Sequence, residues 1–571
     1  MRNPRGVVAG LLALALVVAA CGDETGPTSP PSATPPPTPA PTPAITEIPF
    51  APAAFPADGS ACDLDGYEGR LGRVETVDAR TVRFTLCAPD AAFVARLAHP
   101  VANVLDAASI AALERSPADR DSLAGTGRYR LASGTSGENI LLQRAGAEAT
   151  PDAVSPVIVV AWNADAAART RALEEATVDG IDAPGAAELD EIATLPELVV
   201  TDRAGLATAF LAFGSGPAFA GAEVRRAIAG ALDRGAVVNA AFPAGSTVPS
   251  HVTPCGVDNA CGGPGWYEFN APAAAASLAA AGFDLRRTYP LHVPDRPVPG
   301  LPDPAAAAAA IKEQLETNIG LKVSIDVMPA DELRAAADKA SLNSLYLDGV
   351  VSPVADPSGF LEPLFGDGVR TTPARRATGV SRALEQAAAE PDAAARKRSI
   401  TEANTAIRDS AVIVPLAHPG STVTFRSDVS GVVTSPLGVD PLGAVTPGDR
   451  PQLVFAQAAE PAGAWCGDQS TIDAFRVCGL LAEGLYGVDD GGLTPEPALA
   501  SGCEPNDDAT VWTCTLRSGV TFDDGARLDA GDVLASVVAA WDGEGPLRRA
   551  ARGDAFVTWD ALFGGPVPAG G

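Results

Sequence analysis

Segments with the patterns of β-strands and α-helices alternate along most of this chain, and the alternation starts afresh after residue 450. Residues 74–86, VETVDARTVRFTL, alternate polar and apolar side chains and predict two strands around a turn. An apolar run at 154–163 predicts a buried strand, and 303–329 predict a long helix, a turn at Gly320 and a strand. Such alternation is typical of α/β lobes, in which helices cover the sheets.

The second series repeats this alternation on a smaller scale. It predicts a strand at 451–461, a helix at 470–487, and two strands, a turn and a helix at 510–541. Asp529 or Asp532 lies near the start of the last helix, where the positive end of the helix dipole favours a carboxylate. With 571 residues, 46% of them hydrophobic, the chain is long enough for two or three domains.

The N-terminus has the pattern of an export signal. Residues 1–20 combine two arginines with a short apolar run, which predicts a signal peptide. The run closes on Val18-Ala19-Ala20-Cys21, which resembles the lipobox of bacterial lipoproteins; the alternative is an ordinary signal with a chance cysteine. The resemblance implies a lipid on Cys21 that holds the protein at the cell membrane, on its extracytoplasmic face. Residues 21–45 are rich in Pro and Thr and predict an extended tether of about 70 Å.

Charge and cysteine content narrow the functional classes. The net charge of −29 is spread along the chain and argues against nucleic acid as a partner, since phosphates need a basic face. Apart from Cys21 there are eight cysteines, an even number that suggests disulfides in an exported protein. Sequence does not fix the pairing, and local pairing gives Cys62–Cys87, Cys255–Cys261, Cys466–Cys478 and Cys503–Cys514. The four histidines are scattered, which argues against zinc.

Seven blocks resemble one family, the extracytoplasmic solute-binding proteins of peptide/nickel-type ABC importers (family 5 solute-binding proteins). The blocks are GTGRYRL at 125–131, then 219–254, 267–283, 311–327, 356–365 and 421–438, and the series after residue 450, which includes GVTFDDGARLDAGDV at 519–533. The resemblance covers nearly everything from about residue 70 to residue 545. It implies a small-molecule ligand, a membrane ABC permease as partner, no cofactor and no catalysis.

The order of these blocks departs from the family. Sequences similar to the series after residue 450 open the family's chains, whereas here they come last. The two pieces complement each other without obvious duplication, so we interpret the order as a circular permutation, with the original ends joined near 438–451. Permutation is tolerated where old termini lie close together and new ones fall in exposed loops. The alternatives are a receptor that lacks its start, followed by a truncated second copy, and a swapped dimer; we expect a monomer.

The resemblance implies a two-lobed α/β fold of the periplasmic-binding-protein type II class, with an accessory subdomain on the first lobe. Two lobes of this kind hinge shut over a ligand in the cleft between them. The permuted order predicts the following boundaries: the accessory subdomain's second part at 46–115, the middle of lobe I at 116–215, lobe II at 216–425, the closing and opening strands of lobe I at 426–500, and the accessory subdomain's first part at 501–571.

Cleft residues follow from the resemblance position by position. The loop after the strand LVFAQ lines the family's cleft, which nominates Glu460 and Trp465; Trp465 could equally be a core residue. Tyr486 lies beyond the following helix, and Phe213 and Gly214 occupy the crossing-strand position, where the family often has Asn after such a strand. The remaining candidate is Val354.

The segment around Val354 also carries the clearest departure from the peptide-binding members. Those members have a Trp and an Asp just before an Asp-Pro pair, and the Asp pairs with the peptide's ammonium group. Here Pro353 stands in place of that carboxylate, and a buried ammonium without a counter-charge is unfavourable. This argues against an ordinary oligopeptide as ligand. Asp356 is interpreted as a structural turn residue before Pro357.

Metal binding and catalysis have little support in the sequence. His251 and His418 are taken to have no nearby His or Cys partner, so no metal is expected, and Arg225 and Arg226 are interpreted as a solvated helix face. No nucleophile elbow, phosphate loop or H-E-x-x-H motif is present, which argues against an exported hydrolase. The other alternative is a receptor-like scaffold that has lost transport and docks a protein partner.

Overall fold

A computed structural model of the protein describes residues 50–116, 123–146 and 154–568. The predicted signal peptide, Cys21 and the tether lie outside the described residues. In chain order the strands are β1 (Ala54–Phe55), β2 (Leu71–Asp78), β3 (Thr81–Leu86), β4 (Tyr129–Thr135), β5 (Asn139–Arg144), β6 (Val157–Trp162), β7 (Gly180–Asp182), β8 (Leu198–Arg203), β9 (Ala207–Phe213), β10 (Thr288–Pro294), β11 (Lys322–Met328), β12 (Leu345–Val351), β13 (Ile413–Ala417), β14 (Ser421–Arg426), β15 (Leu453–Gln457), β16 (Tyr486–Val488), β17 (Pro495–Pro497), β18 (Ala500–Pro505) and β19 (Val511–Leu516).

The helices follow the predicted alternation with the strands. They are α1 (Phe93–Leu97), α2 (Ala107–Arg115), α3 (Ala166–Glu174), α4 (Ala186–Ile192), α5 (Ala222–Gly230), α6 (Arg234–Ala241), α7 (Ala271–Ala280), α8 (Pro304–Ile319), α9 (Ala330–Asp338), α10 (Ser358–Phe365), α11 (Thr372–Arg376), α12 (Val380–Ala388), α13 (Ala393–Ser410), α14 (Ile472–Leu481), α15 (Ala530–Trp541), α16 (Pro546–Ala550) and α17 (Val557–Phe563). None of the described helices is both long and apolar enough to cross a membrane.

Lobe I is built on a seven-stranded mixed sheet in the order β4-β5-β6-β15-β7-β14-β8. Strand β15 comes from the second series, yet it lies at the centre of this sheet, parallel to both β6 and β7. The short apolar sequence LVFAQ suits this position, because a central parallel strand is covered on both faces. The C-terminal part of the chain is therefore integral to lobe I.

Lobe II is built on a five-stranded sheet in the order β11-β10-β12-β9-β13. All seven residues of β9, ATAFLAF, are buried, because β9 lies between two other strands and under helices on both faces. Helices α5 to α13 surround this sheet and share one continuous hydrophobic core with it. This lobe holds the longest helices of the described chain, α8 and α13.

The accessory subdomain is a five-stranded antiparallel sheet, β1-β2-β3-β19-β18, covered by α1, α2 and α15–α17. Its strands come from both ends of the described chain, and β3 pairs with β19 along five residue pairs. Helix α15 begins near Asp529 and Asp532, as predicted, and the structure adds a capping box between these two residues.

Within the described residues there are four disulfide bonds, and they join the locally paired cysteines. These are Cys62–Cys87, Cys255–Cys261, Cys466–Cys478 and Cys503–Cys514. The Cα–Cα distances lie between 4.0 and 5.4 Å. Cys62–Cys87 and Cys503–Cys514 lie in the accessory subdomain, and Cys255–Cys261 closes a loop of lobe II.

Two predicted boundaries and one predicted surface differ from the structure. The boundary at residue 215 put β9 in lobe I and the boundary at residue 425 put β14 in lobe II, but each strand belongs to the opposite lobe's sheet. The chain crosses between lobes earlier, just before β9 and just before β14. Arg225 is also not on a solvated face: it is buried and donates to the carbonyl oxygens of Phe219, Ala220 and Ser410. These carbonyls satisfy a guanidinium that helix periodicity alone would place in solvent.

Candidate functional site

The two lobes are joined by two short crossing segments that touch each other. One runs through 204–206 from β8 to β9, and the other through 418–420 from β13 to β14. A side chain at Gly205 would collide with the carbonyl oxygen of Pro419, so glycine permits the close approach. Adjacent crossing segments of this kind form a hinge, because bending two short stretches lets one lobe rotate against the other.

A cavity of about 640 Å³ and one of about 410 Å³ lie between lobe II and the rest of the molecule. The smaller one, here called the hinge cavity, lies beside both crossing segments. Lobe II contributes Val351 and Pro353, lobe I contributes Ile472 and Phe475, and the accessory subdomain contributes His99. All three parts of the fold therefore meet at this cavity.

The hinge cavity presents apolar side chains from both lobes. Val351 and Ile472 are 48% and 47% exposed, among the most exposed large apolar side chains of the described residues. Helix α14 begins at Ile472, directly after the cap Thr471, whose hydroxyl accepts from the N–H of Ala474. Burying both apolar side chains under a ligand would contribute about 25 cal/mol for each Å² removed from water.

His99 adds an uncharged wall to the hinge cavity. Burial lowers the pKa of His99 to about 3, so its imidazole is neutral at physiological pH. Its Nδ1 accepts from the N–H of Val101 at 3.1 Å, and its ring meets the ring of Phe475 edge-on at 4.8 Å. The histidine is thus held in one orientation by the 3-10 turn that it caps.

Arg203 also lines the hinge cavity, but its charge is already matched. Its guanidinium bonds to both carboxylate oxygens of Asp440 and, at 2.9 Å, to Asp182. Asp182 also accepts from the fully buried Arg476 at 3.0 Å. Burial alone would raise the pKa of Asp182, but Arg476 and Arg203 outweigh it and lower that pKa. This ion cluster fixes β7, β8, α14 and the connection that carries Asp440 at the base of the hinge.

Formal charge is otherwise scarce around the hinge cavity. Among the described residues that line it, none is Asp, Glu or Lys, and the remaining polar groups include the hydroxyls of Ser352, Ser421, Ser470 and Thr558. Pro353 lies in this wall, at the position where the sequence comparison placed a missing carboxylate. The cavity therefore suits an apolar or uncharged part of a ligand and offers no counter-charge to an ammonium group.

The model of the family "Bacterial extracellular solute-binding proteins, family 5 Middle" matches residues 46–371 and 494–558. The chain belongs to this family. It is thus a solute-binding protein of the kind that binds small ligands and docks with ABC permeases.

Relatives by sequence include a periplasmic-binding protein and a heme-binding protein. The probable ABC transporter periplasmic-binding protein SapA of Escherichia coli K12 is 27% identical over 384 residues, which cover 65% of this chain and 69% of that protein. Heme-binding protein A of Haemophilus influenzae is 25% identical over 379 residues, with the same two coverages. A solved structure, HbpA2 from Haemophilus parasuis, has the same fold: the TM-score is 0.60 at 24% identity, over 66% of this chain and 75% of that one.

Three of the predicted cleft residues of this solute-binding protein lie away from the hinge cavity in lobe I and the accessory subdomain. Glu460 is exposed, and its carboxylate accepts from the Ser136 hydroxyl and the Gly137 N–H at 3.2 Å each. Trp465 is buried and meets Phe556 edge-on at 5.9 Å, in agreement with its core interpretation. Tyr486 is buried and lines a separate cavity of about 230 Å³; its hydroxyl accepts from the Cys503 N–H.

The other three predicted residues belong to lobe II. Phe213 is fully buried in the core of that lobe, against Phe219. Gly214 follows it at the end of β9, where any side chain would collide with the carbonyl oxygens of Leu342 and Ser344. Val354 is buried and lines the 640 Å³ cavity. The structure therefore does not bring the six predicted residues together.

The residues that do meet at the hinge cavity were missed by sequence reasoning, apart from Pro353. Val351 and Ile472 read as ordinary strand and helix residues, and His99 as an isolated histidine. Only the fold places them side by side. For Val351, the nearest signal in the sequence is its position close to Pro353. For Ile472, the nearest signal is the helix cap at Thr471.

His251 differs from the prediction in its surroundings. It was taken to have no nearby cysteine, but its Nδ1 lies 3.9 Å from the Cys255 sulfur, and Cys261 completes a group whose ligand atoms lie within 4.8 Å of one another. The two cysteines are joined in a disulfide, so neither offers a thiolate to a metal. Elsewhere in the described chain, Asp356 has the structural role expected of it: both its oxygens bond Arg396 at 2.7 Å, and Oδ1 accepts from the Ser358 N–H.

Proposed function

We propose that this protein is a lipid-anchored extracytoplasmic receptor that captures a small organic solute, peptide-like or otherwise, in the cleft between its lobes and delivers it to an ABC importer. The observation that carries this proposal is the hinge cavity, which lies beside two adjacent crossing segments and receives apolar side chains from both lobes. A ligand that contacts Val351 on one lobe and Ile472 on the other favours the closed arrangement, because opening would expose both side chains.

The lipid anchor supports delivery. A signal peptide that ends at Ala20, a lipidated Cys21 and a Pro-rich tether would hold the two lobes near the membrane within reach of a permease. The relative SapA is named a periplasmic-binding protein, which agrees with an extracytoplasmic location. Metabolic labelling with a palmitate analogue tests this part: a Cys21→Ala variant should lose the label and be released from membranes.

We also propose that the order of the chain is a circular permutation of the family's order. The pairing of β19 with β3 and of β15 with β6 and β7 supports this, because segments that are distant in sequence complete the sheets. The chain continues without a break from lobe II through β14 into β15, along the connection that contains Asp440. On this proposal the domains follow the predicted order, with the two lobe boundaries moved to the crossing segments.

The solute is best sought on the protein as its own host makes it. We expect native mass spectrometry of the purified protein to show a bound small molecule, which extraction then identifies. Val351→Asp should lose that molecule, because it places an unpaired charge in the apolar wall of the hinge cavity. Val327→Asp is the matched control, since Val327 is an exposed valine on the edge strand β11, away from the cavity.

Two outcomes would contradict the receptor proposal. One is a protein that carries no small molecule but forms a stable complex with another protein, which would favour the docking scaffold. The other is a solute that Val351→Asp and Val327→Asp retain equally, which would move the binding site away from the hinge cavity.

A further inference from the structure

The larger cavity, of about 640 Å³, lies between the accessory subdomain and lobe II and is here called the outer compartment. The accessory subdomain contributes Arg70, Pro89 and Ala561 to its walls, and lobe II contributes Val354 and Leu384. None of the six cleft residues predicted from sequence except Val354 lies in it. The accessory subdomain is therefore more than an appendage of lobe I, because it faces the moving lobe across a space large enough for part of a solute.

Two direct contacts span the two walls of the outer compartment. The guanidinium of Arg70 bonds the carboxylate of Glu362 on α10 at 3.0 Å. The N–H of Ala91 donates to the carbonyl oxygen of Ala388, at the end of α12, at 2.8 Å. Both contacts join the accessory subdomain to lobe II, so a rotation of lobe II about the hinge would break them. The compartment therefore has walls from both the accessory subdomain and lobe II only when these two parts are together.

The outer compartment and the hinge cavity are neighbours. Val351 and Pro353 line both, so the two spaces lie against the same short segment of lobe II. The carbonyl oxygen of Val354 accepts from the Ser352 hydroxyl at 2.7 Å, which holds this segment in a tight turn. A solute long enough to pass this segment could occupy both spaces at once.

The charge of the outer compartment differs from that of the hinge cavity. Two guanidinium groups, Arg70 and Arg96, lie in its wall, and they pair with Glu362 and Asp90. Burial alone would lower the pKa of Arg96, but Asp90 and Glu362 outweigh it and raise that pKa. These carboxylates therefore stabilise the positive charge of the buried Arg96.

Two further carboxylates increase this negative balance. Asp367 and Glu385 line the compartment and are exposed, and in the described part of the chain no Lys, Arg or His lies within ion-pair distance of either. With Glu362 they make three lining carboxylates against the two arginines. The compartment thus offers the counter-charge to a cation that the hinge cavity lacks.

We propose that the outer compartment is a second part of the solute site, and that it takes the positively charged end of an elongated solute whose apolar part lies in the hinge cavity. This inference rests on the receptor function proposed above and names the chemical class of the solute: an amphipathic molecule with one basic end. The counter-charge that is missing at Pro353 is then provided by the outer compartment, which pairs with the basic end of the solute.

The test uses three capped peptides as probes, with the full-length protein freed of its natural solute. N-acetyl-Leu-Leu-Lys-amide carries a basic end, N-acetyl-Leu-Leu-Gln-amide a neutral end and N-acetyl-Leu-Leu-Glu-amide an acidic end. Isothermal titration calorimetry should show the tightest binding for the lysine probe and the weakest for the glutamate probe. The double variant Asp367→Asn, Glu385→Gln should weaken the lysine probe about fivefold and leave the glutamine probe unchanged.

The matched control is Glu313→Gln, which removes an exposed carboxylate of lobe II from α8, outside both cavities. It should alter none of the three affinities. Equal affinities of the lysine and glutamine probes, or a lysine preference that survives the double variant, would overturn the proposal. If the host-made protein carries a solute that Val351→Asp releases, but that solute has no basic group, then the receptor function stands and this inference is wrong.

Discussion

Lobe II and the accessory subdomain are both sheets packed against helices, but the chain builds them in different ways. The lobe II sheet comes from one continuous stretch, from β9 to β13, and its core is drawn almost wholly from that stretch. The accessory sheet takes three strands from one end of the described chain and two from the other. The lobe II sheet can form once its own segment has been synthesised, whereas the accessory sheet also needs strands from near the C-terminal end of the described chain.

The accessory subdomain therefore depends on contacts between its two pieces. No disulfide of the described chain joins them: Cys62–Cys87 lies within the first piece and Cys503–Cys514 within the second. The joints are the β3–β19 pairing and the side chain of Trp541, which meets Phe55 at 5.4 Å and donates to the Tyr67 hydroxyl at 2.9 Å. Strand pairing, apolar burial and hydrogen bonds, such as that from the Ala107 N–H to Asp532, hold the pieces together.

Deletion of residues 500–568 should produce the largest difference in stability between the accessory subdomain and lobe II. It removes β18, β19 and α15–α17, so the remaining accessory strands lose their core partners and unfold, while the lobe II core keeps all of its strands. Hydrogen exchange read by mass spectrometry should show lost protection at β2 and β3 and retained protection at β9 and β12. A chain that ends at residue 568 is the control, and uniform loss of protection in both regions would show that the two are one cooperative unit.

Truncation of Trp541 should also destabilise the accessory subdomain relative to lobe II, but by less than the deletion does. Trp541→Ala removes the largest fully buried side chain of the described residues and should lower the free energy of unfolding of the accessory subdomain by about 3–5 kcal/mol. Phe213→Ala should weaken lobe II by a similar amount. Denaturant unfolding followed by hydrogen exchange separates the regions: each variant should destabilise its own region first. Trp541→Phe is the conservative control and should recover part of the loss.

The architecture was largely predictable from the sequence. Strand and helix alternation gave the α/β class, and the resemblance gave a two-lobed receptor, which the family match and the solved relative confirm. The helix start near Asp529 and Asp532 was predicted because a carboxylate at a helix start is a local signal, although the capping box itself was not. Sequence did not fix the disulfide pairing, but the local pairing suggested for cysteines such as Cys255 and Cys261 is the one that the structure contains. These features share one property: each is decided by residues that are close in sequence.

The site was much less predictable, for the converse reason. The hinge cavity joins Val351, Ile472 and His99, which are more than a hundred residues apart from one another along the chain and carry no common motif. Arg225 was misplaced because its partners are carbonyl oxygens, which no side-chain pattern reveals. Strand β9 was assigned to the wrong lobe because hydrophobicity identifies a buried strand but not the sheet that receives it.

The pH dependence of stability should differ in sign between the two regions. In lobe II, burial alone would raise the pKa of Asp356, but Arg396 outweighs it and lowers that pKa. In the accessory subdomain, burial raises the pKa of Asp532 to about 6, and the neighbouring carboxylates of Asp529 and Asp106 add to this. The N–H groups of Asp529 and Ala107 donate to Asp532 and lower its pKa only in part. An unfolded Asp titrates near 3.9.

The Asp356 contribution is therefore present above pH ~4 and is lost as the pH falls through the lowered folded value. The Asp532 carboxylate acts oppositely: the folded state binds the proton more tightly, so its stability decreases as the pH rises from ~4 to about 6. Thermal unfolding between pH 3 and pH 8 should show that Asp532→Asn removes the loss between pH 4 and 6. Asp356→Asn should not alter that window, and the same change in both variants would contradict these assignments.

Restoring the family's order of segments should change the stability least, and it tests the proposed circular permutation. The reordered chain begins at Asp449, runs to residue 568, continues through a short Gly-Ser linker to Phe50 and ends at Gly448. The cut lies beyond Asp440, so Asp440 stays in the same stretch, 50–448, as its partner Arg203. The new joint lies within the accessory subdomain, where the Arg70 N–H already donates to the Phe563 carbonyl oxygen at 2.8 Å and Phe50 packs against the same core.

Every strand pairing of both regions is preserved in that chain, and closing a surface loop of different length changes the free energy by only about 0.6 kcal/mol per doubling. The melting temperature should therefore stay within a few degrees of the natural chain, with the same solute bound. The accessory subdomain would then form from one continuous stretch, as lobe II does, and its β2 and β3 amides should become protected as early as those of β9 during refolding. A reordered chain that folds only as a dimer would instead favour a swapped arrangement over a permutation.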